Sequence, residues 1–388
     1  MSTTKEPIAI IGMACRYPGA ESPEALWQLL CDGTDPITEV PPERWDINKY
    51  YHPKPSTPGK IMSRYAGFLE NLEKFDAQFF GISPREAPHI DPRQRVMLEV
   101  AWEALEDAGI PPNSLAGSKT SVYVSTLRND YGSLINDHSA AVRIYTGPGT
   151  ANSVVANRLS YVLDLRGSSI ALDTACSGSL VALNLAHRSL QSGESTLALV
   201  GGISINLLPR GDLFFSQAGA LASDGRCKTF DHRANGIVRS EGAGMIVLKP
   251  LSQAQADGDR IYALIRGSVV NQDGRSNGIM APNGEAQEAM LVEAYQQAGI
   301  SPAKVQHIEA HGTGTSLGDP IEANAIGAVL SQGRTPEDQN CVLGSIKTNI
   351  GHTESAAGVA GIIKSVYGRA GWGSPARRRP RTRGTWSR

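Results

Sequence analysis

The chain carries short, continuous apolar runs separated by polar turns and by stretches with helical spacing. Residues 8–13 are apolar throughout. This predicts a strand buried on both faces, with Gly12 permitting close approach of backbone or ligand. Runs of the same kind fall at 121–125, 169–172, 197–205, 245–248, 262–270, 305–310 and 342–346. Between them, apolar residues recur at helical spacing over 95–108, closed by Gly109, over 180–190 and over 285–298. Strands alternating with helices predict a layered α/β protein. The stretch 41–92, rich in Pro, Tyr, Asp and Gly and weakly periodic, reads as a long excursion over the surface.

Composition narrows the class without naming a chemistry. With 388 residues, 40% hydrophobic and 19% charged, the chain is an ordinary globular protein with a sizeable core. A formal net charge of -1 excludes a whole-protein footprint for nucleic acid. Nowhere do about 18 consecutive apolar residues occur, so no membrane span is expected. The apolar N-terminal run is broken by Gly12 and followed by Arg16 and Pro18, which does not make a signal peptide. Five cysteines, an odd number without a CxxC pair, indicate a reducing, cytoplasmic setting and no metal site. Residues 369–388 hold seven arginines and no acid, a composition break that reads as a disordered tail, not as a nucleic-acid-binding arm.

Chemistry concentrates at three predicted strand ends. In 169–190 a short strand runs through Asp173, Thr174 and Ala175 into Cys176, and an apolar helical pattern follows at once. A thiol at a helix start feels the positive end of the helix dipole, which predicts a lowered pKa and thiolate character. The small neighbours Ala175, Ser177 and Gly178 leave room for a thioester. Cys15, Cys31, Cys227 and Cys341 lack such surroundings and are expected to be inert. His311 ends the run 305–310 and opens a Gly/Thr-rich loop, and His352 lies in a second loop five residues after Lys347. A thiol and two histidines at strand ends suit acyl transfer and carbanion chemistry. A neutral imidazole that donates from Nε2 stabilises a developing oxyanion with no proton moved, and two donors spread the charge of an enolate.

These motifs resemble those of type I ketosynthases (β-ketoacyl synthases) of modular polyketide or fatty-acid synthases. DTACSGSL is similar to the DTACSSSL nucleophile signature, with Gly178 where serine is usual, at a second-turn position where glycine costs a helix about 1 kcal/mol. HGTGT followed by GDP, and KTNIGH followed by AAG, resemble the family's two histidine signatures, and the likeness runs from Pro7 to about Lys364. The resemblance implies the thiolase-like fold, two similar α/β halves in a five-layered αβαβα sandwich, usually as a homodimer. The polar stretch 251–258 divides the halves, giving 5–250 with the nucleophile, 251–368 with the histidines, and the tail 369–388. It also implies that Cys176 holds the growing acyl chain while His311 and His352 bind the malonyl thioester, promote loss of CO₂ and stabilise the enolate. Lys347 would orient the site electrostatically, and Thr313 and Thr315 would hydrogen-bond a phosphopantetheine arm. That arm would be carried by a partner acyl carrier protein, with no cofactor bound by this chain itself.

In the 226–244 stretch, Asn235 and Ile237 stand where Asp and tyrosine are common, which concerns loop packing more than the reaction. Asp231, Glu241 and Asn271 are either turn and cap residues or supports of the site. Ketosynthases of this kind continue to a GFGGTNAH-like loop whose amide completes the oxyanion hole. The family-like sequence here stops near Lys364, which predicts a marginal folder with weak or no condensing activity. Two other readings are a coenzyme A-dependent thiolase or chalcone-synthase-like enzyme, against which the HGTGT and KTNIGH pair speaks, and a catalytically weak scaffold that docks carrier protein.

Overall fold

The computed structural model describes residues 6–136, 142–335, 338 and 340–371. Its strands are β1 (Ile8–Arg16), β2 (Thr38–Glu39), β3 (Tyr65–Ala66), β4 (Thr120–Thr126), β5 (Ser169–Leu172), β6 (Leu197–Ser204), β7 (Gly242–Pro250), β8 (Ala263–Ile265), β9 (His307–Glu309) and β10 (Val342–Gly344). The first seven helices are α1 (Pro23–Asp32), α2 (Ile47–Tyr50), α3 (Pro92–Asp107), α4 (Asp130–Asn136), α5 (Thr146–Thr150), α6 (Val154–Val162) and α7 (Gly178–Ser192). The rest are α8 (Arg210–Gln217), α9 (Leu251–Ala256), α10 (Gly284–Ala298), α11 (Gly318–Leu330), α12 (Lys347–Ile350) and α13 (Ala357–Gly371). Six strands form a mixed sheet in the order β5-β4-β6-β7-β1-β8, and β9 and β10 pair in parallel as a second, smaller sheet.

β1 shows why the main sheet is covered on both faces. Ala9, Ile11 and Ala14 pack with Met97, Ala101 and Leu105 of α3 and with Val155 and Leu159 of α6. Ile8, Ile10, Met13 and Cys15 face the opposite way, onto Ala182 and Ala186 of α7 and onto Val359, Ala360 and Ile363 of α13. The alternation slips by one residue at Gly12, where the register with β7 shifts between Ile10 and Gly12. A Cβ on Gly12 would stand 2.4 Å from the carbonyl oxygen of Ala104, so the close approach is that of α3's backbone, not of a ligand. Each large apolar side chain sealed between these layers contributes roughly 1.5–3 kcal/mol.

Several sequence expectations change. The 41–92 stretch is a packed lobe and not an excursion over the surface: Trp45, Ile47, Ile61, Met62, Ala66 and Phe68 form a core with Leu221 and Ile237. Its apolar residues sit on turns, two-residue strands and the single turn of α2, so they show no period. The predicted strand 262–270 narrows to β8, which lies beyond residue 250 yet pairs with β1 of the main sheet. The polar stretch 251–258, where the halves were expected to divide, holds α9. The tail expected at 369–388 begins inside α13, and its part beyond Gly371 lies outside the described residues.

Candidate active site

Cys176 follows β5 on a 3-10 turn, Ala175–Ser177, that leads directly into α7. The turn is set locally. Ala175 sits at φ +52°, an uncommon conformation for a residue with a Cβ, and its N–H donates to Asp173 Oδ1 at 3.0 Å, while Ser177 Oγ donates to the Thr174 carbonyl at 2.8 Å. Gly178 is the first residue of α7, not a second-turn position, so its helix-propensity cost is small. Its need is steric: a Cβ there would lie 1.8 Å from Ser125 Oγ.

The expected lowering of the Cys176 pKa is not found. Burial pushes the thiol up to about 11, and the nearby Glu354 carboxylate adds to this, while Lys347 and Arg128 pull the other way. A short turn of oriented amides does not offset desolvation beside a carboxylate. Of the other cysteines, Cys15 is driven up further by complete burial, and Cys227, with its Sγ 3.3 Å from the Thr313 carbonyl, is pushed up to about 11.

The two histidines meet. His311 and His352 rings stand edge to face with centroids 5.6 Å apart. His352 is buried, and its Nδ1 accepts the Glu354 main-chain N–H at 3.0 Å, which leaves the proton of the neutral ring on Nε2 as a donor. Burial and the charge of Lys347 hold both rings below the usual histidine value, His311 at about 3 and His352 well down. His311 is exposed by surface area although protein surrounds its ring, and both imidazoles are neutral at pH 7. Lys347, buried at the start of α12, is itself held down by desolvation, and it lies near enough to act on Cys176, Cys227, His311 and His352.

The HGTGT loop is held by carboxylates of α11. Glu322 accepts the N–H groups of His311 and Gly312 at 2.6 and 2.7 Å, and Asp319 accepts those of Gly314 and Phe230 at 3.1 and 2.7 Å. Gly312 and Gly314 take φ of +46° and +74°, and a Cβ on either would strike Thr229 or the backbone of Lys228. Thr313 and Thr315 place their hydroxyls 3.1 Å apart, both half-buried, on the same loop as His311.

Sequence reasoning missed Glu322, Asp319, Glu354, Arg128 and Arg239. The GDP that follows HGTGT and the Glu two residues after His352 were visible, but their partners are backbone groups and side chains brought in by folding. Glu354 Oε2 pairs with Arg128 at 2.6 Å and Oε1 with buried Arg239 at 2.7 Å, and these cations hold it below the usual carboxylate range despite its burial. Glu241 is a buried brace, accepting the N–H groups of Leu69 and Asn206 and pairing with Arg44. Asn271 donates to the Ala286 carbonyl and Asp231 pairs with Arg233, both local ties. Among the described residues no group of three or more His, Cys, Asp or Glu side chains is placed to hold a metal ion.

The description "Beta-ketoacyl synthase, N-terminal domain" matches residues 5–254, and "Beta-ketoacyl synthase, C-terminal domain" matches residues 262–368. One protein of the phenolphthiocerol/phthiocerol polyketide synthase of Mycobacterium tuberculosis is 53% identical over 362 residues, covering 93% of this chain and 19% of that protein. A second protein of the same synthase in the same organism is 50% identical, with 93% of this chain and 23% of that protein covered. The chain thus spans about a fifth of the length of these curated relatives. Among solved structures, the ketosynthase from module 6 of the bacillaene synthase of Bacillus subtilis aligns at TM-score 0.86 and 42% identity, covering 93% of this chain and 61% of that one. An oxazolomycin ketosynthase domain from Streptomyces albus aligns at TM-score 0.88 and 41% identity, covering 93% and 62%.

Proposed function

We propose, from the premise that this chain belongs to the β-ketoacyl synthase family, with the thiolase-like fold of a type I modular polyketide synthase ketosynthase, that it extends an acyl chain on Cys176 by a malonyl-type unit. The observation that carries the assignment of roles is the pairing of two neutral imidazoles, one of them fixed as an Nε2 donor, within reach of the same buried Lys347 as a thiol at a helix start. Cys176 attacks the carbonyl of an incoming acyl thioester, and its proton leaves with the departing phosphopantetheine thiol. The malonyl thioester then loses CO₂, and its carbonyl oxygen takes up the enolate charge between the His311 and His352 donors. The enolate carbon attacks the acyl carbonyl, the C–S bond to Cys176 breaks, and the thiolate takes a proton from solvent. Neutral donors suit this step because they stabilise charge without quenching the carbanion.

Thr313 and Thr315 offer half-buried hydroxyls that fit the amides of a phosphopantetheine arm, which arrives on a partner acyl carrier protein. The two halves are assigned to 5–250 and 251–368. β5 is an edge strand with Ile170 exposed, which supports assembly as a homodimer, and five free cysteines support a reducing, cytoplasmic setting. Among the described residues no helix is long and apolar enough to cross a membrane. Intact-mass analysis with a panel of acyl thioesters, followed by peptide mapping, tests the reading. An acyl group on Cys176 is expected, absent in Cys176→Ala; acylation of Cys15, Cys31, Cys227 or Cys341 instead would overturn it. Replacing His311 or His352 by Ala should slow malonyl decarboxylation by about 10²–10³ and leave acylation nearly intact.

A further inference from the structure

Arg239 lies just before β7 and is among the largest fully buried side chains. Its Nε donates to Glu354 Oε1 at 2.7 Å, one terminal nitrogen to Asp212 Oδ2 at 2.5 Å and the other to Asn206 Oδ1, and its guanidinium carbon lies 5.8 Å from the Phe215 ring centre. The socket is built for this group, since a Cβ on Gly211 would stand 2.5 Å from the guanidinium carbon. The residues on either side of Arg239 also hold the histidine motif through their backbone. His352 N–H donates to the Val238 carbonyl at 2.7 Å and the Ser240 N–H donates to the His352 carbonyl at 3.0 Å, so the two main chains are bridged at Arg239 and His352.

Glu354 is where the two contacts converge. It holds φ at +46°, a conformation unfavourable for a residue with a side chain unless its surroundings enforce it. In that conformation its N–H points at His352 Nδ1. A carboxylate gripped by Arg239 on one oxygen and Arg128 on the other cannot swing away. Stability alone does not explain the arrangement, because apolar residues of similar volume commonly replace buried ion pairs at no loss. An apolar residue could not hold Glu354 in place.

We infer that Arg239 is a positioning residue for decarboxylation: by fixing the carboxylate of Glu354, next to the main-chain bridge that its neighbours Val238 and Ser240 make to His352, it keeps the Glu354 N–H on Nδ1 and so keeps His352 an Nε2 donor. It touches no substrate. The inference rests on the reading of the site given above. It concerns the malonyl half-reaction first: Glu354, which also raises the Cys176 thiol, keeps its pairing with Arg128 when Arg239 is replaced, so acylation changes far less.

The test uses the full chain with ¹⁵N-labelled histidine, in Arg239→Met, Arg239→Lys and Gly211→Ala, the last pushing the guanidinium aside without removing it. Imidazole ¹⁵N shifts read the tautomer of His352, CO₂ release from a malonyl thioester reads one half-reaction, and mass-detected acylation of Cys176 reads the other. Expected are a mixed tautomer and a roughly 10²–10³-fold loss of decarboxylation in Arg239→Met, as for one lost donor, with acylation within a few-fold of wild type. Arg239→Lys, which keeps the charge without the fork, should recover little, and Gly211→Ala should fall between. An unchanged tautomer with full decarboxylation, or equal loss of both half-reactions in Gly211→Ala, overturns the inference. If Arg239→Met does not fold, Gly211→Ala and Arg239→Lys decide alone. A wild-type chain with the Nε2 tautomer that releases no CO₂ would instead sink the reading of function.

Discussion

A side chain at position 178 would have to share space with Ser125, whose Oγ is buried and makes no hydrogen bond among the described residues. The family signature has serine where this chain has Gly178, so the hydroxymethyl of Ser125 fills the volume that serine would take. Gly178→Ser should therefore lose about 1–3 kcal/mol by overpacking, and Ser125→Gly in the same chain should restore most of it. Denaturant unfolding of the two single variants and the double variant measures this; additive losses would show that the two side chains do not compete. The nucleophile two residues earlier yields a second expectation. Because burial and Glu354 hold the Cys176 thiol up at about 11, its alkylation by iodoacetamide should quicken steadily through pH 9. A plateau below pH 8 would mean that the helix start outweighs desolvation, as the sequence alone suggested.

At the scale of elements, the loop after β9 depends on α11 more than on its own residues. Glu322 stands eleven positions after His311, yet it takes the N–H groups of both His311 and Gly312. Charge-assisted hydrogen bonds of this kind are worth about 1.5–3 kcal/mol each, so Glu322→Ala should free the His311 backbone and cut decarboxylation by about 10–100-fold while Cys176 acylation changes little. Equal activity in both half-reactions would show that the loop holds itself. The contrast between loop and clamp marks what the sequence could tell. Cys176, His311 and His352 were legible because each sits in a local strand-loop motif. Glu322, Arg239 and Arg128 were not, because their meaning lies in partners that only folding supplies. α3, α7 and α10 were likewise legible from their helical spacing. α13 was not, since small residues such as Gly358 and Gly361 interrupt its apolar period where it packs on α7 and against Glu309.

For the whole molecule, the burial that tunes the site also makes stability depend on pH. His352 is held neutral in the fold well below the ordinary value near 6.5, so as pH falls through 6.5 the unfolded chain takes up a proton that the folded chain refuses. Folding loses up to about 1.4 kcal/mol per pH unit from this one group. His311 acts in the same direction. Glu241 acts oppositely over part of the same range. Burial holds its carboxyl up at about 7, so from pH 7 down to its ordinary value near 4.5 the folded state takes up the proton first and gains stability. The wild-type trend is therefore a balance, and the difference between two chains isolates one group. His352→Gln removes the histidine's term and leaves that of Glu241. Its stability relative to wild type should rise steadily as pH is lowered from 7 to 5, reaching on the order of 1–2 kcal/mol by pH 5 in urea unfolding compared pH by pH. A difference that stays constant over this window would mean that His352 titrates in the folded protein as it does in the unfolded chain, and that the ring is open to protonation at the pH where it has to remain a neutral donor.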